Sequence, residues 1–278
     1  MEVWNLYKKN KDGKLILTDL EQIRGERIPD GFYHLVVHVW IKNSNGMYLI
    51  SKRSEDRKRY PLLYECVGGS VIKGETSLEG ALRETIEEVG VKLEPENGKL
   101  IYTKVRDDKF DIMDVWNFTY DGNPNLNNAT TNEVIEVKWM TYQDIVSLYK
   151  DNLLVPTLGY FFELNSPKIH QMNLNPHPFS FIKNNLKDIE MRLNDEKRKN
   201  LSVGDIIVFK NTQSAEELKV LVTGLHKFKS FNELYNKFEK TRIGYLDNED
   251  AHPDDMLEYY TKEDIQKYGA LGIEVKCL

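Results

Sequence analysis

The sequence predicts an α+β protein built as two successive domains, and three observations carry that reading. Apolar runs rich in β-branched and aromatic residues recur through the first 140 positions, as the strands of a sheet do. Among them stands one amphipathic stretch of helical period, opened by Thr76 and closed by Gly90. At Met172 the pattern restarts with a second set of strands and short capped helices. A chain of 278 residues is long enough for each domain to bury its own core.

The elements follow in order. Residues 1–30 place Trp4, Leu6 and Tyr7 among turns at 11–13 and 28–31, without a defined element. Residues 34–41 form a compact apolar run and read as a buried strand. Asn43-Ser44-Asn45-Gly46 is turn chemistry, and 47–53 reads as the returning strand of a hairpin. Gly68, Gly69 and Gly74 mark a loop that bends tightly or lets another group approach its backbone. Thr76 and Glu79 have the form of a capping box, and Gly90 is a natural helix stop. Further strands are expected over 100–106, 112–120 and 134–140, with a break at 121–124 and a helix from Thr141. A short helix and then a linker at 165–170 end this half, giving domains at 1–164 and 171–278.

In the second half, 181–185 reads as a helix. In 187–194, Asp188, Glu190 and Arg192 alternate with Ile189, Met191 and Leu193, the period of a half-buried strand with one charged face. A strand at 203–209 follows, then helices opened by Ser230 and Thr261, and a last strand at 272–277.

The chemistry concentrates in the first helix. Glu84, Glu87 and Glu88 stand at i, i+3 and i+4 and share one stripe, while Leu78, Ala81, Leu82 and Val89 fall on another face. Three crowded acids repel one another unless a cation sits among them, and oxygen donors suit a hard ion such as Mg²⁺ or Mn²⁺. The bland alternative is a solvated acidic face, which the flanking glycines disfavour.

Gly69, Glu75 and the run Arg83-Glu84-Thr85-Ile86-Glu87-Glu88-Val89-Gly90-Val91 match the Nudix box at every fixed position, with Thr85 where an aliphatic residue is usual. Residues 1–160 thus resemble Nudix hydrolases, nearest the subgroup of type I isopentenyl-diphosphate isomerase. The resemblance implies an α/β/α sandwich and hydrolysis of a nucleoside diphosphate linked to another moiety. It implies metal ligation by Glu84, Glu87, Glu88 and the Gly69 carbonyl, with one of these glutamates or a distal acid taking the proton from water. Glu133 and Glu136 lie where some members keep a further acid, or else on an exposed strand edge. Glu75 and Arg83 are expected to brace loop and helix. Arg53 and His38 are candidates to meet substrate, though a paired core histidine is the commoner fate. The isomerases need a cysteine and a histidine where this chain has Gly68 and Ser70, so isomerase activity is not expected.

Leu174-Asn175-Pro176, Pro178-Phe179, 189–192, Gly204-Asp205 and the 268–274 close are similar to an ASCH domain, a small PUA-like β-barrel. That resemblance implies binding of RNA or a nucleotide-type ligand, with Lys187, Glu190 and Arg192 as a polar strip. A purely structural ion-pair set is the alternative. Some small ASCH amidohydrolases pair a lysine with a threonine three residues later; Lys187 matches, but Glu190 stands at the threonine position.

Composition narrows the partners. A net charge of -6 argues against a general nucleic-acid coat, although local basic patches remain open. Two distant cysteines, Cys66 and Cys277, indicate no disulfide framework. With no apolar signal core and no membrane span in the sequence, a cytoplasmic protein is expected. A non-catalytic nucleotide- or RNA-binding protein is the second reading, against which the intact acids speak.

Overall fold

The computed structural model describes residues 2–278. The chain forms two compact units that meet in sequence after Phe161. The first contains β1 (Val3–Lys9), β2 (Leu15–Ile23), β3 (Phe32–Lys42), β4 (Tyr48–Arg53), β5 (Tyr64–Glu65), β6 (Val67–Ser70), α1 (Ser77–Val89), β7 (Gly98–Arg106), β8 (Asp111–Thr119), β9 (Val134–Met140) and α2 (Tyr142–Lys150). A helix α3 (Tyr160–Leu164) lies at the division.

β3 is the hub of the first unit. It runs parallel to β8, antiparallel to β6 and β1, and turns through 43–46 into β4. Val37, Val39, Trp40 and Ile41 are almost wholly buried, as the apolar run predicts for a strand covered on both faces. α1 packs over β6 and β3 through Ala81 and Val89 against Val37, Val39 and Val71. Gly80 lets it settle there, because a Cβ at that position would press into Val71. The β1–β2 hairpin falls in residues 1–30, where turns but no defined element were expected. Its exposed Ile16, Leu17 and Leu20 blur the strand alternation.

Within the acidic stripe of α1, Glu84 and Glu88 are buried with Ala81, Thr85 and Val89, and Glu87 is partly exposed. The buried Thr85 hydroxyl is satisfied by donating to the Ala81 carbonyl at 2.8 Å.

The second unit contains β10 (Ile169–Leu174), α4 (Pro176–Lys183), β11 (Ile189–Leu193), β12 (Ile206–Asn211), β13 (Glu217–Phe228), α5 (Phe231–Lys237), α6 (Lys240–Ile243), α7 (Lys262–Tyr268) and β14 (Ala270–Cys277). Its five strands order as β10-β12-β13-β14-β11 in a curled half-barrel, antiparallel except for the β10–β12 pair. β10 begins inside the segment read as linker. β13 lies outside the strands expected from the sequence, where Val220-Leu221-Val222 is a continuous apolar run followed by Thr223-Gly224; it carries a register shift between Val222 and Gly224. The charged face of β11 is not solvated: Glu190 is as buried as the apolar residues around it.

Candidate active site

Two local features build the site in the first unit. The Thr76 hydroxyl accepts from the Glu79 amide and the Glu79 carboxylate accepts from the Thr76 amide, fixing where α1 starts. The glycines of β6 then let the strand backbone come against the helix acids. A Cβ on Gly69 would fall on the Glu84 carboxylate itself, and one on Gly68 would strike the Val37 carbonyl. Gly69 and Glu84 are thus in the contact a shared ligand would require.

Arg83 braces this arrangement. Its Nε and Nη2 donate to the two Glu75 oxygens at 2.8 and 3.0 Å, and Nη2 also reaches the Ser70 carbonyl at 2.8 Å. Its Nη1 divides between Glu84 at 2.9 Å and Glu87 at 2.8 Å. One guanidinium therefore serves three carboxylates. Glu88 has no cation of its own and accepts from the Gly68 amide at 3.1 Å.

The electrostatics follow from that shortfall. Burial pushes the Glu84 carboxyl up to about 7; Arg83 opposes the shift, and Glu87 and Glu133 reinforce it. Glu88 is raised well above the usual carboxylate range by burial, then by Glu65 and Glu84. A group that must hold protons to relieve crowding is one where a cation can take their place.

A cavity of about 240 Å³ adjoins these acids, lined by Gly68, Gly69, Glu65, His38, Arg57 and Arg106 among others. His38 is on its wall, its pKa lowered to about 3 by burial, with Arg106 and Lys109 adding to the effect. Its Nδ1 lies 2.8 Å from the Tyr160 hydroxyl, which also accepts from the Trp40 indole at 3.1 Å. Glu133 is paired with Arg57, and its charge is felt by Glu84, Glu88 and Glu65. Glu136 lies apart, bound by Tyr64 and Lys138.

Arg53 is placed otherwise than expected: it is buried, ion-paired with Glu65 and donating to the Arg59 carbonyl at 3.1 Å, so its guanidinium is occupied within the fold. Sequence reading missed Glu65, which is half-buried and raises the pKa of Glu88, and Arg106, which is paired with Asp111 and reaches the cavity wall. Neither carried a signal, since each is one charged residue in a strand.

The donor set is chemically apt for a hard divalent ion: buried carboxylate oxygens, and a strand backbone stripped of side chains where it meets them. Among the described residues, no three His, Cys, Asp or Glu side chains converge as a ready-made cage, because Arg83 draws Glu84 and Glu87 toward itself.

Comparison with known proteins is decisive about kinship. A NUDIX domain model matches residues 32–161. An uncharacterised Nudix hydrolase of Listeria innocua is 35% identical over 174 residues, covering 61% of this chain and 99% of that protein. The chain belongs to the Nudix hydrolases. Another member, from Listeria monocytogenes and likewise uncharacterised, is 32% identical over 163 residues, covering 58% of this chain and 91% of its own. A crystal structure from Deinococcus radiodurans covers 59% of this chain and 96% of its own at 22% identity, with a TM-score of 0.45. An ASCH domain model matches residues 172–277. As a Nudix hydrolase the protein is a pyrophosphohydrolase acting on a nucleotide-type substrate, and such enzymes generally use a divalent metal ion. No helix among the described residues is long and apolar enough to cross a membrane.

Proposed function

We propose that the Nudix unit hydrolyses a phosphoanhydride in a nucleoside diphosphate linked to another moiety, with Mg²⁺, or Mn²⁺ in its place, held by Glu84, Glu87, Glu88 and the Gly69 carbonyl. The observation that carries this reading is the deficit of positive charge: Glu75, Glu84 and Glu87 share the single Arg83, Glu88 is held only by the Gly68 amide, and Glu84 and Glu88 are buried. A divalent ion bound there neutralises the anhydride and acidifies water.

The chain's own groups do the rest. Arg83 and Glu75 hold the β6 loop against α1, so that Gly69 and the acids keep one geometry. Glu133 stands outside the helix and is not needed to hold the ion, which suits it to take the proton from attacking water. Arg106 and Arg57, each paired with one acid, line the cavity and supply positive charge for phosphate oxygens, whereas Arg53 is not on its wall. His38 stays uncharged and gives the pocket a neutral wall.

The ASCH unit contributes ligand recognition in this reading and no second catalytic centre, since Glu190 replaces the threonine that would work with Lys187. The test is a screen of nucleoside diphosphate derivatives and capped RNA with Mg²⁺, scored for released phosphate or nucleoside monophosphate. A substrate should emerge whose turnover disappears in E88Q while the circular dichroism spectrum is kept. Full turnover by E88Q would overturn the assignment.

A further inference from the structure

The second unit holds a cavity of about 680 Å³, a volume typical of small-molecule sites. Its floor contains three charged side chains: Lys187 and Glu190 are 6% and 5% exposed and Arg192 is 16% exposed. Arg192 Nε donates to Glu190 Oε1 at 2.8 Å, and its Nη2 donates to the Asn173 carbonyl at 2.8 Å. Lys187 Nζ donates to the Ile243 carbonyl at 3.1 Å. Gly244, at φ 105°, clears the path of the lysine stem, which a Cβ there would crowd.

Glu190 Oε2 is the exception. It lies 3.1 Å from Lys187 Nζ as an ion pair, yet the angle falls short of a hydrogen bond, and this buried oxygen accepts none. A buried acceptor left open beside a lysine with a donor to spare costs free energy unless a ligand completes both.

The mouth has the opposite character to a phosphate site. Glu249, Asp250, Asp255 and Glu258 line it together with Tyr245, Tyr259 and Tyr260. The basic residues near this domain's start are already paired: Lys183 with Glu216, Arg198 with Asp195 and Lys199 with Glu196. A nucleic-acid strand entering this cavity would bring its phosphates against four carboxylates. Flat rings, by contrast, suit the tyrosine walls.

We propose that this cavity binds an uncharged, planar small molecule bearing an N–H donor beside a carbonyl acceptor on one edge, a lactam or aromatic amide, and that it rejects phosphate-bearing ligands. The N–H donates to Glu190 Oε2 and the carbonyl accepts from Lys187 Nζ. The acidic mouth repels anions before they reach the floor. This assignment does not depend on the hydrolytic reading of the Nudix unit.

The test is calorimetric titration of the full chain, with EDTA present to strip divalent metal, using four probes: nicotinamide and uracil, the near-isosteric anion nicotinate, and uridine 5′-monophosphate. A ten-nucleotide single-stranded RNA is the fifth. Nicotinamide or uracil should bind at about 1 mM or tighter, and E190Q should weaken that binding by roughly tenfold or more. Nicotinate and the monophosphate should bind more weakly than their neutral counterparts. The surface variant D250N/E258Q leaves the floor untouched and keeps the test valid should E190Q fail to fold. It should hold uracil within about twofold and improve uridine 5′-monophosphate, which keeps the same N–H and carbonyl edge, because only the repulsion changes. Absence of binding by both neutral probes, binding indifferent to E190Q, or salt-sensitive RNA binding that E190Q abolishes would each overturn the proposal. So would a D250N/E258Q variant that leaves uridine 5′-monophosphate excluded.

Discussion

The two units each bury a glutamate, and they solve the problem in opposite ways. In the Nudix unit, Glu84 and Glu88 are buried with too few cations, and both are driven toward their protonated forms. In the ASCH unit burial also opposes the ionised form of Glu190, but Lys187 and Arg192 outweigh it and hold the carboxyl below its usual range. The first arrangement is incomplete in charge and the second only in hydrogen bonds. A deficit of positive charge calls for a metal ion, whereas a neutralised floor with one open acceptor calls for a neutral donor.

Removing one acid from each place sharpens that contrast most. Glu88→Gln should lower kcat/KM by roughly 100-fold or more on the substrate found by screening. It should leave urea stability in metal-free buffer unchanged or higher, since it removes a crowded buried charge. Glu190→Ala should do the reverse to stability and cost roughly 3 kcal/mol, because it strands Lys187 and Arg192. Urea titration of both variants checks the pair; equal losses would break the comparison.

A smaller effect is expected from Gly69→Ala, whose methyl group would displace the Glu84 carboxylate. Mn²⁺ affinity, read by electron paramagnetic resonance, should fall about tenfold. The mildest effect concerns pH. The Glu84 carboxyl at about 7 lies above its unfolded value, so its contribution to metal-free stability is complete below the unfolded pKa and fades as pH rises through about 7. Mn²⁺ affinity should rise over the same interval as the proton leaves. Glu84→Gln should flatten the stability profile, and an unchanged slope would sink the assignment of that proton.

Much of this was readable beforehand where local chemistry is self-contained. Thr76, Glu79 and Gly90 bound α1 at the places their side chains and backbone freedom dictate, and the apolar run of β3 announced a strand covered on both faces. The box residues lie within one loop and one helix, so their spacing alone signals kinship. β13 carries no local period to read, since Val220, Leu221 and Val222 are all apolar and Thr223-Gly224 follows. Arg53, a candidate to meet substrate, has its guanidinium on Glu65, a partner that only the β4–β5 pairing brings over.

The glutamate helix, its caps and its glycine loop follow from residues a few positions apart and were set locally. Which acids are buried, that Glu65 and Glu133 join their field, and that the β11 charges face a cavity and not water came from the assembled fold. Burial and long-range fields depend on what other strands and loops bring near, and no local period records that.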